Sequence, residues 1–209
     1  MIVRLVPLLF AACLIAAPEV LAQGSGTRPL APDQAQEGKR RAPPAPRLSR
    51  AQRLDALYEA LKAAPNARTA QAVEERIDAM TMQSGSDTAD LLLVRARSVM
   101  ETKEYDLSIE LLDAVIELSP DFTEAYAQRA TALYLKKDIY RALADLRVVI
   151  AREPRHFTAY AGLGVILQDI GRDRLALDAF RRAIAIHPHL KGLPNLIKRL
   201  EPKVEGRGI

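Results

Sequence analysis

Pro120, Pro154 and Pro188 stand 34 residues apart. A fixed step of that size commits a chain to repeated supersecondary units that bury their apolar faces on one another. The same step relates other positions. In repeats 89–122, 123–156 and 157–190, the fourth position holds Leu92, Tyr126 and Tyr160, the eighth Ala96, Ala130 and Gly164, and the eleventh Val99, Leu133 and Leu167. Farther along, position 20 holds Ser108, Ala142 and Ala176, position 24 Leu112, Leu146 and Phe180, and position 27 Val115, Val149 and Ala183.

Positions 4, 8 and 11 fall on one stripe of a first helix, and 20, 24 and 27 on one stripe of a second, by the spacing of three and four residues that marks an amphipathic helix. Each repeat is therefore two helices. Gly, Ala or Ser at positions 8 and 20 lets the helices approach closely, and the larger side chains at 4, 11 and 24 fill the surrounding space. The proline at position 32 ends the second helix. Asp121 with Glu124 reads as a capping-box variant at the start of the second repeat, Asp87 or Thr88 as the cap of the first, and Gly171 as the turn inside the third. Nothing alternates with period two, so the expected fold class is all-α.

The segment Tyr160-x-x-Leu163-Gly164-x-x-Leu167 … Gly171 … Ala176-x-x-x-Phe180-x-x-Ala183 … Pro188 resembles the tetratricopeptide repeat family almost position for position. The resemblance covers about half the chain and is weakest in the first repeat. It implies an α-solenoid of three helix pairs. Arg95 and Arg129 stand at position 7, where leucine is commoner in the family. Such a stem is expected to lie along the helix seam with its charged head in water.

A repeat stack exposes its core at both ends unless capped. Residues 51–88 are expected to supply one cap. Leu54, Leu57, Tyr58 and Leu61 mark one helix, Pro65-Asn66 a break, and Val73, Ile77 and Met80 a second helix. Leu193, Leu196, Ile197 and Leu200 mark the closing helix of 191–209 after the first-turn proline Pro194, with a loose tail from about Glu205.

The start of the chain reads as an export signal. Arg4 precedes a thirteen-residue apolar run from Leu5 to Ala17, and Val20-Leu21-Ala22 supplies a small-residue cleavage site, so 1–22 is read as a signal peptide. The run is shorter than the roughly 17–25 residues that cross a bilayer. An uncleaved anchor and acylation of Cys13 remain alternatives. Cleavage would remove Cys13, the one cysteine, leaving a mature chain with no thiol.

Residues 23–50 hold six basic and two acidic side chains among five prolines, with almost no large apolar residue. They are expected to form a flexible basic spacer. An attraction of Lys39-Arg40-Arg41 to anionic lipid or polymer is the functional alternative. Residues 51–209 carry 23 basic and 23 acidic side chains. The net charge of +4 thus belongs to the spacer, and no nucleic-acid partner is expected.

Catalytic signals are missing. No phosphate loop, nucleophile elbow or metalloprotease helix motif occurs, and no cofactor is implied. His156, His187 and His189 sit at inter-repeat turns. They are expected to be exposed turn residues, with a metal site as the minor alternative. Carboxylate pairs such as Glu74-Glu75 read as a solvated face.

The family resemblance implies an interaction module whose inner surface, lined by the first helix of each repeat, binds peptides or proteins. Carried over at positions 9, 12 and 13, that face comprises Arg97, Met100 and Glu101; Thr131, Tyr134 and Leu135; and Val165, Gln168 and Asp169. Packing against the neighbouring repeat is the competing role for these side chains. The family's chaperone-binding members hold a C-terminal carboxylate with Lys, Asn and Arg residues at set positions, which here read Leu93, Arg97, Gln128, Thr158 and Gly162, so that clamp is missing. The expected function is an exported, periplasmic, non-catalytic scaffold with a protein or peptide partner. The alternative is a membrane-tethered envelope accessory whose only membrane contact is its N-terminal segment.

Overall fold

A computed structural model describes residues 48–206. The expectations for the signal segment, Cys13 and most of the basic spacer lie outside the described residues. Among these, helices follow one another without a strand: α1 (Arg50–Lys62), α2 (Ala67–Thr81), α3 (Asp87–Glu101), α4 (Tyr105–Leu118), α5 (Thr123–Leu135), α6 (Ile139–Arg152), α7 (Phe157–Asp169), α8 (Asp173–Ile186) and α9 (Leu193–Val204). The pairs α3–α4, α5–α6 and α7–α8 are the three repeats, and α9 packs its Leu193 and Leu200 on α8. No helix among the described residues is long and apolar enough to cross a membrane.

The small-residue positions do what close packing requires. Ala96, Ala130, Ala142, Ala176 and Ser108 are all buried to within 1% of full exclusion. Ser108 is tolerated there because its hydroxyl donates to the Ala96 carbonyl oxygen at 3.0 Å across the helix pair. Position 24 grows as position 8 shrinks: Ala96 faces a repeat with Leu112, Ala130 one with Leu146, and Gly164 one with Phe180. A methyl group on Gly164 would overlap the Phe180 ring, which is itself fully buried.

The turn within each pair uses the left-handed region of the backbone. Gly171 has φ 74°, and the equivalent sites in the first two repeats are Lys103 at 65° and Lys137 at 70°. Lysine adopts this conformation at a cost of roughly 1–2 kcal/mol relative to glycine. The closing bonds offset it: Lys137 N–H donates to Tyr134 O and Asp138 N–H to Leu133 O.

Several local expectations are corrected. The cap of α3 is Ser86, not Asp87 or Thr88, and it accepts from Ala89 N–H. The Asp121–Glu124 capping box does not form. Phe122 is the N-cap of α5, without a side-chain bond, and Glu124 turns inward to accept from Gln128 Nε2 at 2.7 Å. Ser49 caps α1 through a reciprocal box with Gln52, so the spacer stops short of residue 50. The head of Arg129 is not in water. It grips the buried carboxylate of Asp145 through Nε and Nη2 at 2.8 and 2.7 Å and reaches Asp113 of the preceding repeat at 2.6 Å.

The largest correction concerns the N-terminal hairpin. Residues 51–88 form two helices as expected, but their apolar face, Tyr58, Leu61, Ala70 and Ile77, packs on Phe157, Ile186 and Leu190 of the third repeat. The outward edge of the first repeat is left open. Leu91 is 70% exposed there, whereas Ala125 and Ala159, at the same place in the next two repeats, are buried.

The Gly164–Phe180 pair gives a direct test of the helix packing. Gly164→Ala should lower the unfolding free energy by about 1–3 kcal/mol through overpacking, and Gly164→Leu by more. Adding Phe180→Leu, which recreates the Ala–Leu pair of the other repeats, should recover a substantial part of the Gly164→Ala loss in a urea-denaturation double-mutant cycle.

Candidate functional site

The hairpin lies along the inner helices of the repeats and encloses a cavity of about 390 Å³. α3, α5 and α7 contribute Arg97, Gln128, Thr131, Tyr134 and Val165 to its wall, the hairpin contributes Tyr58, Ile77, Asp78 and Thr81, and Ala127, Ala130, Leu146 and Ile166 add apolar surface. The volume is that of an ordinary ligand pocket.

Of the nine inner-face residues expected from the repeat frame, Arg97, Thr131, Tyr134 and Val165 line this cavity. Met100 instead packs into the core around the second repeat, the competing role named for such side chains. Glu101 and Leu135 are exposed and Gln168 is half-buried, all three outside the cavity wall. Asp169 accepts a hydrogen bond from the Tyr134 hydroxyl at 2.5 Å, across neighbouring repeats. That bond is the main reason the phenol is pushed up to about 12. Four of the five positions where a chaperone clamp would sit, Arg97, Gln128, Thr158 and Gly162, do line the cavity, and Leu93 is buried in the first repeat's core.

The hairpin wall is held at the turn between α6 and α7. Arg155 Nη1 contacts Asp55 Oδ1 at 2.6 Å while Nε and Nη2 grip Glu153, and its guanidinium stands 4.5 Å from the Tyr58 ring centroid. This stack over an aromatic face is a favourable cation–π geometry. Tyr58 is only 4% exposed. Burial, with the Glu153 carboxylate next, pushes its phenol above the usual range. Among the described residues its hydroxyl has no hydrogen-bond partner.

The turn histidines are not exposed as expected. His156 and His187 are buried. His156 Nδ1 accepts from Ala159 N–H at 3.2 Å, so the proton is on Nε2, which faces Glu124 Oε2 at 3.3 Å. His187 stacks edge-on to Phe157 and turns Nε2 toward Glu74 at 3.4 Å, and His189 Nε2 donates to Ala64 O at 2.8 Å. These contacts fasten the hairpin to the third repeat. The three rings serve three different partners, and among the described residues no group of three His, Cys, Asp or Glu is arranged around a common metal position.

Asp78 is the site residue that sequence reasoning missed. It is exposed at the cavity mouth with no ion pair or side-chain hydrogen bond among the described residues. Desolvation by the walls, followed by the nearby Glu74 and Glu124 carboxylates, raises its carboxyl above the ordinary value, with Arg97 and His156 opposing. Glu124 is buried at 8%. No motif marks Asp78, because the hairpin breaks the 34-residue frame and its position across the repeats is a tertiary fact, and the capping-box reading of Glu124 gives no sign that it turns toward the cavity.

Comparison with known proteins agrees with this architecture. No protein-family model matches the chain. A TPR repeat-containing protein of Rhizobium etli is 32% identical over 155 residues, covering 74% of this chain and 76% of its own. The chain belongs to the tetratricopeptide repeat proteins. The small glutamine-rich tetratricopeptide repeat-containing protein 2 of Saccharomyces cerevisiae is 29% identical over 98 residues, and this chain spans only 28% of it. Two solved structures share the fold at low identity. The first TPR of Spaghetti (RPAP3) bound to an HSP90 peptide has a TM-score of 0.55 at 18% identity, covering 57% of this chain and 95% of that one. MamA has a TM-score of 0.54 at 21% identity, covering 76% of this chain and 80% of that one.

The raised carboxyl of Asp78 sets a sign for stability against pH. A folded-state value above the unfolded one favours folding while the group is protonated, and that contribution is lost as pH rises through the folded-state titration. Asp78→Asn should therefore raise the urea midpoint near pH 7, and the gain should shrink as pH is lowered toward about 4, the ordinary aspartate range.

Proposed function

We propose that this tetratricopeptide repeat protein is a non-catalytic interaction scaffold that binds a protein or peptide segment in the cavity between the hairpin and the inner helices. The observation that carries the reading is the cavity itself. Its aromatic and aliphatic walls, Tyr58, Ile77, Tyr134 and Val165, can desolvate an anchor, and a few polar groups can orient it. A solved neighbour of the same fold is described as bound to an HSP90 peptide, which supports a peptide as the class of ligand. An acidic C-terminal peptide of that kind is disfavoured here, because the clamp positions read Leu93, Arg97, Gln128, Thr158 and Gly162 and Asp78 stands at the mouth. The export signal read in residues 1–22 supports a periplasmic location for the scaffold.

In-cell photo-crosslinking of the full chain tests this reading. Photoreactive residues at 131 and 134 should capture a discrete partner that is not captured from Tyr140, which is 89% exposed. Capture from 131 and 134 no greater than from 140 would overturn the groove assignment. In the same cells, a mature chain beginning at Gln23 in the soluble periplasmic fraction is the expected product. An intact or acylated N-terminus in the membrane fraction would establish the tethered alternative.

A further inference from the structure

We propose that the cavity takes a short extended peptide through one lysine or arginine side chain, whose cationic head sits beside Asp78 and Glu124 and donates to the Tyr58 hydroxyl oxygen. This rests on the peptide-binding reading and adds the chemistry of the anchor. The first observation is Tyr58: its ring is fixed between the hairpin core and Arg155, the residue is 4% exposed, and its hydroxyl, on the cavity wall, has no hydrogen-bond partner among the described residues. On that wall the hydroxyl oxygen is open to the cavity and can accept from a donor group on a ligand.

The second observation is the charge around it. Asp78 on α2 has Glu74 on its own helix and Glu124 on α5 as like-charged neighbours. The oxygens of Glu124 already face two partners, Gln128 Nε2 and the ring of His156. The guanidinium on the cavity wall, Arg97 of α3, turns Nη1 toward Met82 Sδ at 3.7 Å and makes no ion pair among the described residues. Behind Tyr58, Arg155 is already paired with Glu153 and Asp55. The cavity thus holds more carboxylate than its own cations neutralise, in a partly desolvated setting where an opposite charge counts for most.

The walls fit the rest of such a side chain. Ile77 and Val165 offer apolar surface for an aliphatic stem, with the charged head directed to the polar end. About 390 Å³ admits a few side chains of an extended segment, whereas a docked helix would require the hairpin to leave.

Random heptapeptides displayed on phage, selected on the immobilised mature chain, test the proposal. Asp78→Lys and Tyr58→Phe serve as comparison proteins once circular dichroism shows them folded. Recovered peptides should converge on one lysine or arginine, bind at least about tenfold more weakly to Asp78→Lys, and bind measurably more weakly to Tyr58→Phe. Convergence on acidic or uncharged peptides that still crosslink at 131 or 134 would overturn the cationic anchor and leave the groove as a peptide site. Basic peptides that bind Asp78→Lys equally well would overturn the placement. Failure to recover any peptide would overturn both readings.

Discussion

The close approach of the two helices in each repeat is the constraint on which the rest depends. It is set by side-chain volume: a residue no larger than Ala at positions 8 and 20, and a large apolar residue at 24 that fills the remaining space. The third repeat shows the rule most plainly, because Gly164 yields the room that the Phe180 ring occupies. With the pairs packed at that separation, each stacks on the next. Arg129 then ties the first two together by spanning Asp113 and Asp145. A buried ion pair of this kind is weak evidence for stability, but loss of one partner leaves the other charge uncompensated in a setting where that is severe.

The second level of organisation is the hairpin. It is fastened by contacts of modest individual worth: Arg155 to Asp55, the Arg155–Tyr58 stack, His187 to Glu74, and His189 to a main-chain carbonyl. Beneath them lies a continuous apolar seam of Leu61, Ile77 and Phe157. The seam supplies most of the stabilisation, since burial scales with apolar area at about 25 cal/mol per Å². The polar contacts set the register. The consequence is functional: what would be an open concave surface becomes a walled cavity with the hairpin as one side.

How much of the site could be read in advance follows from this. Arg97, Thr131, Tyr134 and Val165 were legible because they belong to helices whose faces the repeat period defines. Met100 was misassigned because the same period cannot distinguish a side chain facing the groove from one sliding under the next repeat. Tyr58, Asp78 and Glu124 were invisible as a group. The first two lie outside the repeat frame, and Glu124, read as a helix cap, turns inward because Gln128 and His156 offer it partners. The histidines were misjudged for a related reason: a residue beside a turn is exposed only if nothing packs over the turn, and here the hairpin does.

The amino-acid sequence by itself determined the all-helical class, the three helix-pair repeats and the close packing within each pair, because these depend on local spacing, turn-forming prolines and side-chain size within one repeat length. Only the tertiary structure decided where the hairpin docks, which edge of the stack stays open at Leu91, and which carboxylates meet at the cavity. Those outcomes rest on contacts such as His187 with Glu74, separated by 113 residues. Sequence spacing carries no information about such contacts until the intervening helices are stacked.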